Sequence, residues 1–172
     1  MNMSTEAIFL DCSIRRLEKT CAAIEVCLDR IPDDKIWVRG GETQNAVGNL
    51  LLHLSGNIRQ WLLHGVFDGP DHRDRDAEFS ARGGTSKAEL RELLRSTVDE
   101  TKSRLAEMPH AALADRIFPQ GYDVTKLEAI YHVVEHFAGH AYQIIFMTKM
   151  LTGEDLGFYA HLSKPRHTEP TP

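Results

Sequence analysis

Only three cysteines occur in the 172 residues, Cys12, Cys21 and Cys27, and all three fall within one helical segment without metal-type spacing. An odd, clustered set argues against a disulfide framework and fits a reducing cytoplasm. Long apolar runs are missing as well, so no segment is expected to span a membrane. The start, "MNMSTEAIFLDCSIRR", has no basic leader and meets Asp11 before an apolar stretch can form, so no signal peptide is expected. Basic clusters are absent: the net charge of −5 is spread along the chain, and no Lys/Arg block alternates with aromatics. That argues against nucleic acid and against an anionic membrane surface. There is no internal repeat, phosphate loop or nucleophile elbow, and no useful length alternates as a strand should.

What remains is helical periodicity, in four long segments, and with 42% hydrophobic residues the chain can bury one substantial core. The first segment runs from about Ser4 to Arg30 and stops at Pro32. The second starts near Asn45, a good N-cap residue, and continues to Gly65. Ser86 with Glu89 forms a capping box for the third, which Pro109 closes. Thr125 with Glu128 forms another for the fourth, which ends near Leu151 with Gly153 beyond it. The predicted fold class is therefore all-α, a four-helix bundle over residues 1–155, with residues 156–172 a partly disordered extension ending in "SKPRHTEPTP". Between the second and third segments lies "GVFDGPDHRDRDAEFSARGG", long for a connection; it is either a solvated flap or the border of a substrate entrance. Phe9, Trp37, Trp61 and Phe67, near predicted helix ends, suggest apolar surface that a homodimer would cover.

The fourth segment contains "AIYHVVEHFAGHAYQIIF", which spaces His132, His136 and His140 four residues apart. Ile130, Val133, Phe137, Ile144, Met147 and Leu151 mark its apolar side. At about 100° per residue, His140 falls inside that arc, His136 at its flank and His132 further out. Imidazoles at i and i+4 can reach one ion, and periodicity favours His136 with His140. Two neutral ligands bind a divalent ion weakly, so a third must come from another helix, and His53, midway along the second, is the candidate. The rival "HVVEH", His132 to His136, matches the H-x-x-E-H of inverted zinc peptidases with Glu135 as base. Such enzymes need a further carboxylate ligand and a larger body, whereas only 36 residues follow His136.

The pairing of "NAVGNLLLHLSGNIRQWL" with "YHVVEHFAGHAYQIIFMTKML" resembles the DinB-like superfamily, DinB/YfiT-like metalloenzyme folds, and within it a branch of small bacterial proteins. The resemblance covers nearly the whole chain. It implies an up-down-down-up bundle and a divalent metal held by one His of the second helix and an H-x-x-x-H pair of the fourth, here His53, His136 and His140. His132 takes a packing role or sits behind the ligands. Related proteins are thiol-dependent transferases and isomerases, so a low-molecular-weight thiol or another small molecule is the expected substrate. Where such proteins often carry H-R-G-Q, this chain has His140, Ala141, Tyr142 and Gln143, and the anion contact an Arg would make is lost.

Three neutral imidazoles leave the ion its full charge and an open position, the pattern of a catalytic site. A bound water would be acidified, or a thiol would bind as thiolate. Zinc is the first expectation and nickel the second. Glu135, Tyr142 and Gln143 join His132 as neighbours that could stand behind the ligands. The leading expectation is a metal-dependent enzyme of thiol S-transferase or hydrolase type. Its rivals are a stress-related metal- or ligand-binding bundle without turnover, and a plain bundle whose histidines are packing residues.

Overall fold

A computed structural model describes residues 3–160; the expectation of a disordered "SKPRHTEPTP" tail lies outside the described residues. Four long helices dominate: α1 (Thr5–Arg30), α2 (Val47–Ile58), α4 (Lys87–Ala106) and α5 (Lys126–Thr152), with a short α3 (Arg75–Ser80) between α2 and α4. None of the described helices is long and apolar enough to cross a membrane.

Local chemistry sets most of the boundaries. Both capping boxes form: Ser86 N–H donates to Glu89 Oε2 at 2.8 Å, and Thr125 N–H donates to Glu128 Oε2 at 2.7 Å. Gly153, at φ 72°, ends α5 in the left-handed region that favours glycine. The second helix starts one residue later than Asn45 suggests. Its N-cap is Ala46, whose N–H donates to the Asn49 side chain at 3.0 Å, so Asn49 satisfies an end that the cap residue cannot.

Contacts along the helices fix their directions. At the end of α1, Lys87 Nζ donates to Ile31 O at 2.8 Å and Arg91 pairs with Asp29 at 2.5 Å, while Lys102 near the end of α4 pairs with Glu18, so these two helices run antiparallel. Arg30 meets Glu154 and Lys35 Nζ donates to Leu151 O, each at 3.2 Å, so α1 and α5 end together and run parallel. Trp37 bonds Thr85 O at the start of α2 and α4, and Arg104 bonds Phe67 O at their far ends, so these two are also parallel. The bundle is therefore up-down-down-up, with α2 antiparallel to α5.

Leu17, Ile24, Leu28, Leu51, Leu54, Leu94, Phe137 and Ile144 fill the core at 2% exposure or less. Trp37 closes one end over Gly48, where a Cβ would stand 2.9 Å from the indole ring. Three of the four aromatics expected at the surface, Phe9, Trp37 and Phe67, are half-buried against the core, and Trp61 is buried. An exposed apolar stripe lies on α5, where Tyr142, Phe146 and Met150 follow one another at one-turn spacing with 57%, 66% and 71% exposure.

Besides α3, which lies inside the expected connection, two further features depart from the four expected segments. Arg116–Ile117 (β1) and Val124–Thr125 (β2) form a two-residue antiparallel ribbon before α5. Beyond Ile58, α2 continues as a π-helical turn, Arg59–His64.

Cys12 is exposed, whereas Cys21 and Cys27 are buried; burial pushes both thiols up, that of Cys21 to about 12. A thiol reagent at neutral pH should modify one cysteine of the folded protein, because thiolate is the reactive form, and all three after unfolding without reductant. Finding only one thiol in the unfolded, unreduced protein would contradict this assignment.

Candidate metal centre and cavity

The up-down-down-up order forces the chain leaving α2 to travel back along the bundle before α4 can start. That crossover is the long polar connection, and it runs across the middle of α2, where His53 sits. Glu78 on α3 is buried and its Oε2 lies 2.9 Å from His53 Nδ1. Arg73 grips the same carboxylate through Nε at 2.8 Å and Nη2 at 3.0 Å, and donates Nη1 to Gln60 Oε1 at 3.0 Å. Asn49 Nδ2 anchors the segment by donating to Glu78 O at 2.8 Å. Gly56 makes room: a Cβ there would fall 1.9 Å from Glu78 Oε1. The connection is thus a fitted cover over His53, and neither Glu78 nor Arg73 was picked out from sequence.

Because α2 and α5 run antiparallel, His53 faces the histidine row of α5. One nitrogen from each of His53, His136 and His140 lies within 4.8 Å of the others. His53 Nε2 is 3.1 Å from His136 Nε2. Glu78 Oε2 is an acceptor at His53 Nδ1, and a neutral ring that donates there turns the lone pair of its Nε2 toward the trio. His140 Nδ1 likewise donates to Gln143 Oε1, at 2.8 Å, which leaves its Nε2 bare. Two imidazole nitrogens facing each other so closely need a shared proton or a cation. Nitrogens bound tetrahedrally at 2.0–2.1 Å from one ion would stand about 3.4 Å apart, close to the spacing seen here.

The protonation states agree with a site for a cation. Burial holds His136 down to about 3, with the charges of His140 and His53 adding to the effect. Burial also lowers His140 and His132, against Gln143 in the first case and Glu135 in the second. These imidazoles are therefore neutral at pH 7, the form a metal requires. Burial pulls the Glu78 carboxyl upward, but the His53 and Arg73 hydrogen bonds and the Arg73 charge together hold it below the usual range.

His132 stands one turn outside the trio, its ring 4.2 Å from Trp61 and 5.7 Å from His136. Gln143 touches the cluster through His140. Glu135 and Tyr142 are exposed and make no hydrogen bond among the described residues.

Beside the trio lies a cavity of about 400 Å³ bordered by His53, His136, His132, Trp61, Arg73 and Arg75, with Asn57, Gln120 and Tyr122 completing much of the wall. The π-helical turn helps to build it. Bonding from i to i+5 underwinds the helix, which turns Trp61 back toward the strip of His53 and Asn57. Tyr122 stacks on Trp61 at 6.1 Å from the loop of the β1–β2 ribbon.

Two solved structures share the fold. A conserved protein from Enterococcus faecalis superposes with a TM-score of 0.68 at 17% identity, over 89% of this chain and 100% of its own. A DinB-like protein, YjoA, from Bacillus subtilis gives 0.67 at 16% identity, over 86% and 96%. No curated protein matches the sequence. Residues 4–168 match the model of a family described as a protein of unknown function, DUF1572, and the chain belongs to that family, with a DinB-like fold.

Proposed function

We propose that the protein is a metal-dependent enzyme acting on a small molecule, of thiol S-transferase or hydrolase type, with one divalent ion held by His53, His136 and His140. The observation that carries this is the convergence of three imidazoles from two helices within 4.8 Å, next to a cavity of ligand size. Zinc is the first choice of ion and nickel the second, since imidazole suits both. When bound, such an ion supplies Lewis acidity to a ligand sharing it. The chain's own side chains do the rest. Glu78 and Gln143 fix two of the three imidazoles by their outer nitrogens, and Arg73 holds Glu78 in place. Trp61, His132 and Tyr122 form an aromatic wall that keeps water off one side of a bound substrate. A low-molecular-weight thiol is one substrate of the expected kind, and the cytoplasm is the compartment that fits it.

Elemental analysis of protein purified without an affinity tag or chelator should return about one ion per chain after dialysis against zinc or nickel, as three imidazoles allow. Far less than one ion with both metals would end this proposal.

A homodimer built on α5 is part of the same proposal, because Tyr142, Phe146 and Met150 make an exposed apolar stripe at one-turn spacing. Light scattering should give a dimer mass, and Phe146→Glu combined with Met150→Glu a monomer. A wild-type monomer across a wide concentration range would remove the dimer.

A further inference from the structure

The cavity beside the histidine trio has a polarity of its own. Arg73, one of its two arginines, is paired with Glu78 and donates to Gln60, and its Nη2 also lies 3.1 Å from His53 Nδ1. The other, Arg75, lies over the Phe79 ring at 4.8 Å and makes no hydrogen bond or ion pair among the described residues. Glu128, the one carboxylate on the wall, is tied to the start of α5, where its Oε2 takes hydrogen bonds from Thr125 N and Oγ1, both 2.7 Å. Arg75 is therefore the one cation on the wall without a hydrogen-bonding or ion-pair partner among the described residues.

The other groups describe the body of a ligand. Tyr122 rests one face on Trp61 while remaining 61% exposed, so a flat ring can lie against its other side.

We infer that this cavity binds a small planar carboxylate, such as an aromatic acid, with the carboxylate on Arg75 and the ring against Tyr122. One free guanidinium offers two parallel N–H groups, which match the two oxygens of a carboxylate. A phosphate would ask for further cations, and the charge of Arg73 is already paired with Glu78. The volume of about 400 Å³ holds a compact ligand. The inference goes beyond the metal proposal and does not depend on it, since Arg75 acts whether or not an ion is present.

Calorimetric titration with sodium benzoate, and with benzamide as the neutral look-alike, tests it on zinc-dialysed and on chelator-treated protein. Benzoate should bind once per chain in both forms, and benzamide about tenfold or more weaker, as a lost charge-assisted hydrogen-bond pair implies. Arg75→Gln should weaken benzoate by a similar factor while leaving the zinc content and melting temperature as they were. Equal binding of benzoate and benzamide, equal benzoate binding by wild type and Arg75→Gln, or no benzoate binding at millimolar concentration would each overturn the inference. A zinc content near zero in every sample would sink the metal proposal alone, because the Arg75 ratio is read separately in chelator-treated protein.

Discussion

Alanine in place of His53, His136 or His140 should leave zinc-dialysed protein almost free of metal, whereas His132→Ala should stay loaded. Each single change in the trio leaves two imidazoles, and two neutral ligands do not hold a divalent ion against dialysis. His132 lies outside the group that brings its nitrogens within 4.8 Å of one another, with its ring against Trp61. Losing it should weaken binding by at most about 10- to 100-fold, the range for a group behind the ligands. The same four variants test the peptidase pattern, in which His132 and His136 are ligands and His140 has no part. Metal lost from His132→Ala and kept by His140→Ala would move the site one turn along α5 and refute this assignment.

Arg73→Met should be among the most destabilising single substitutions in the protein. It strips the buried Glu78 carboxylate of its cation, with both side chains less than a tenth exposed. Removing one partner of a buried pair typically costs about 3–5 kcal/mol. For a chain of this length that lowers the melting temperature by roughly 6–20 °C. The double variant Arg73→Met with Glu78→Leu should recover much of the stability, since an apolar replacement of both partners leaves no buried charge. It should not recover the metal. His53 Nδ1 would have lost its acceptor, and affinity should stay down by about 10- to 100-fold. Stability recovered together with full zinc affinity would show that Glu78 serves the fold and not His53. Gly56→Ala offers a separate route to the same outcome, because the added Cβ would meet Glu78 Oε1 at 1.9 Å.

Much of this was legible in the sequence, and the reason is the range over which each signal acts. Ser86 with Glu89 and Thr125 with Glu128 bond across three residues, and His136 with His140 share a face across four, so the chain states these features locally. His53 could be nominated because it stands among the apolar residues of one long helix. The tertiary structure alone decided what stands behind it. Glu78 is 25 positions from His53, on a six-residue helix too short to show a period, and it reaches the imidazole only because parallel α2 and α4 make the intervening chain cross back. The ribbon of two-residue strands carries too little alternation to read, and nothing local marks the π-helical turn that swings Trp61 to the cavity. The sequence alone determined the helices and the histidine row, through contacts within one turn. The cover over His53, the freedom of Arg75 and the cavity between them depend on packing between distant segments, which no spacing along the chain encodes.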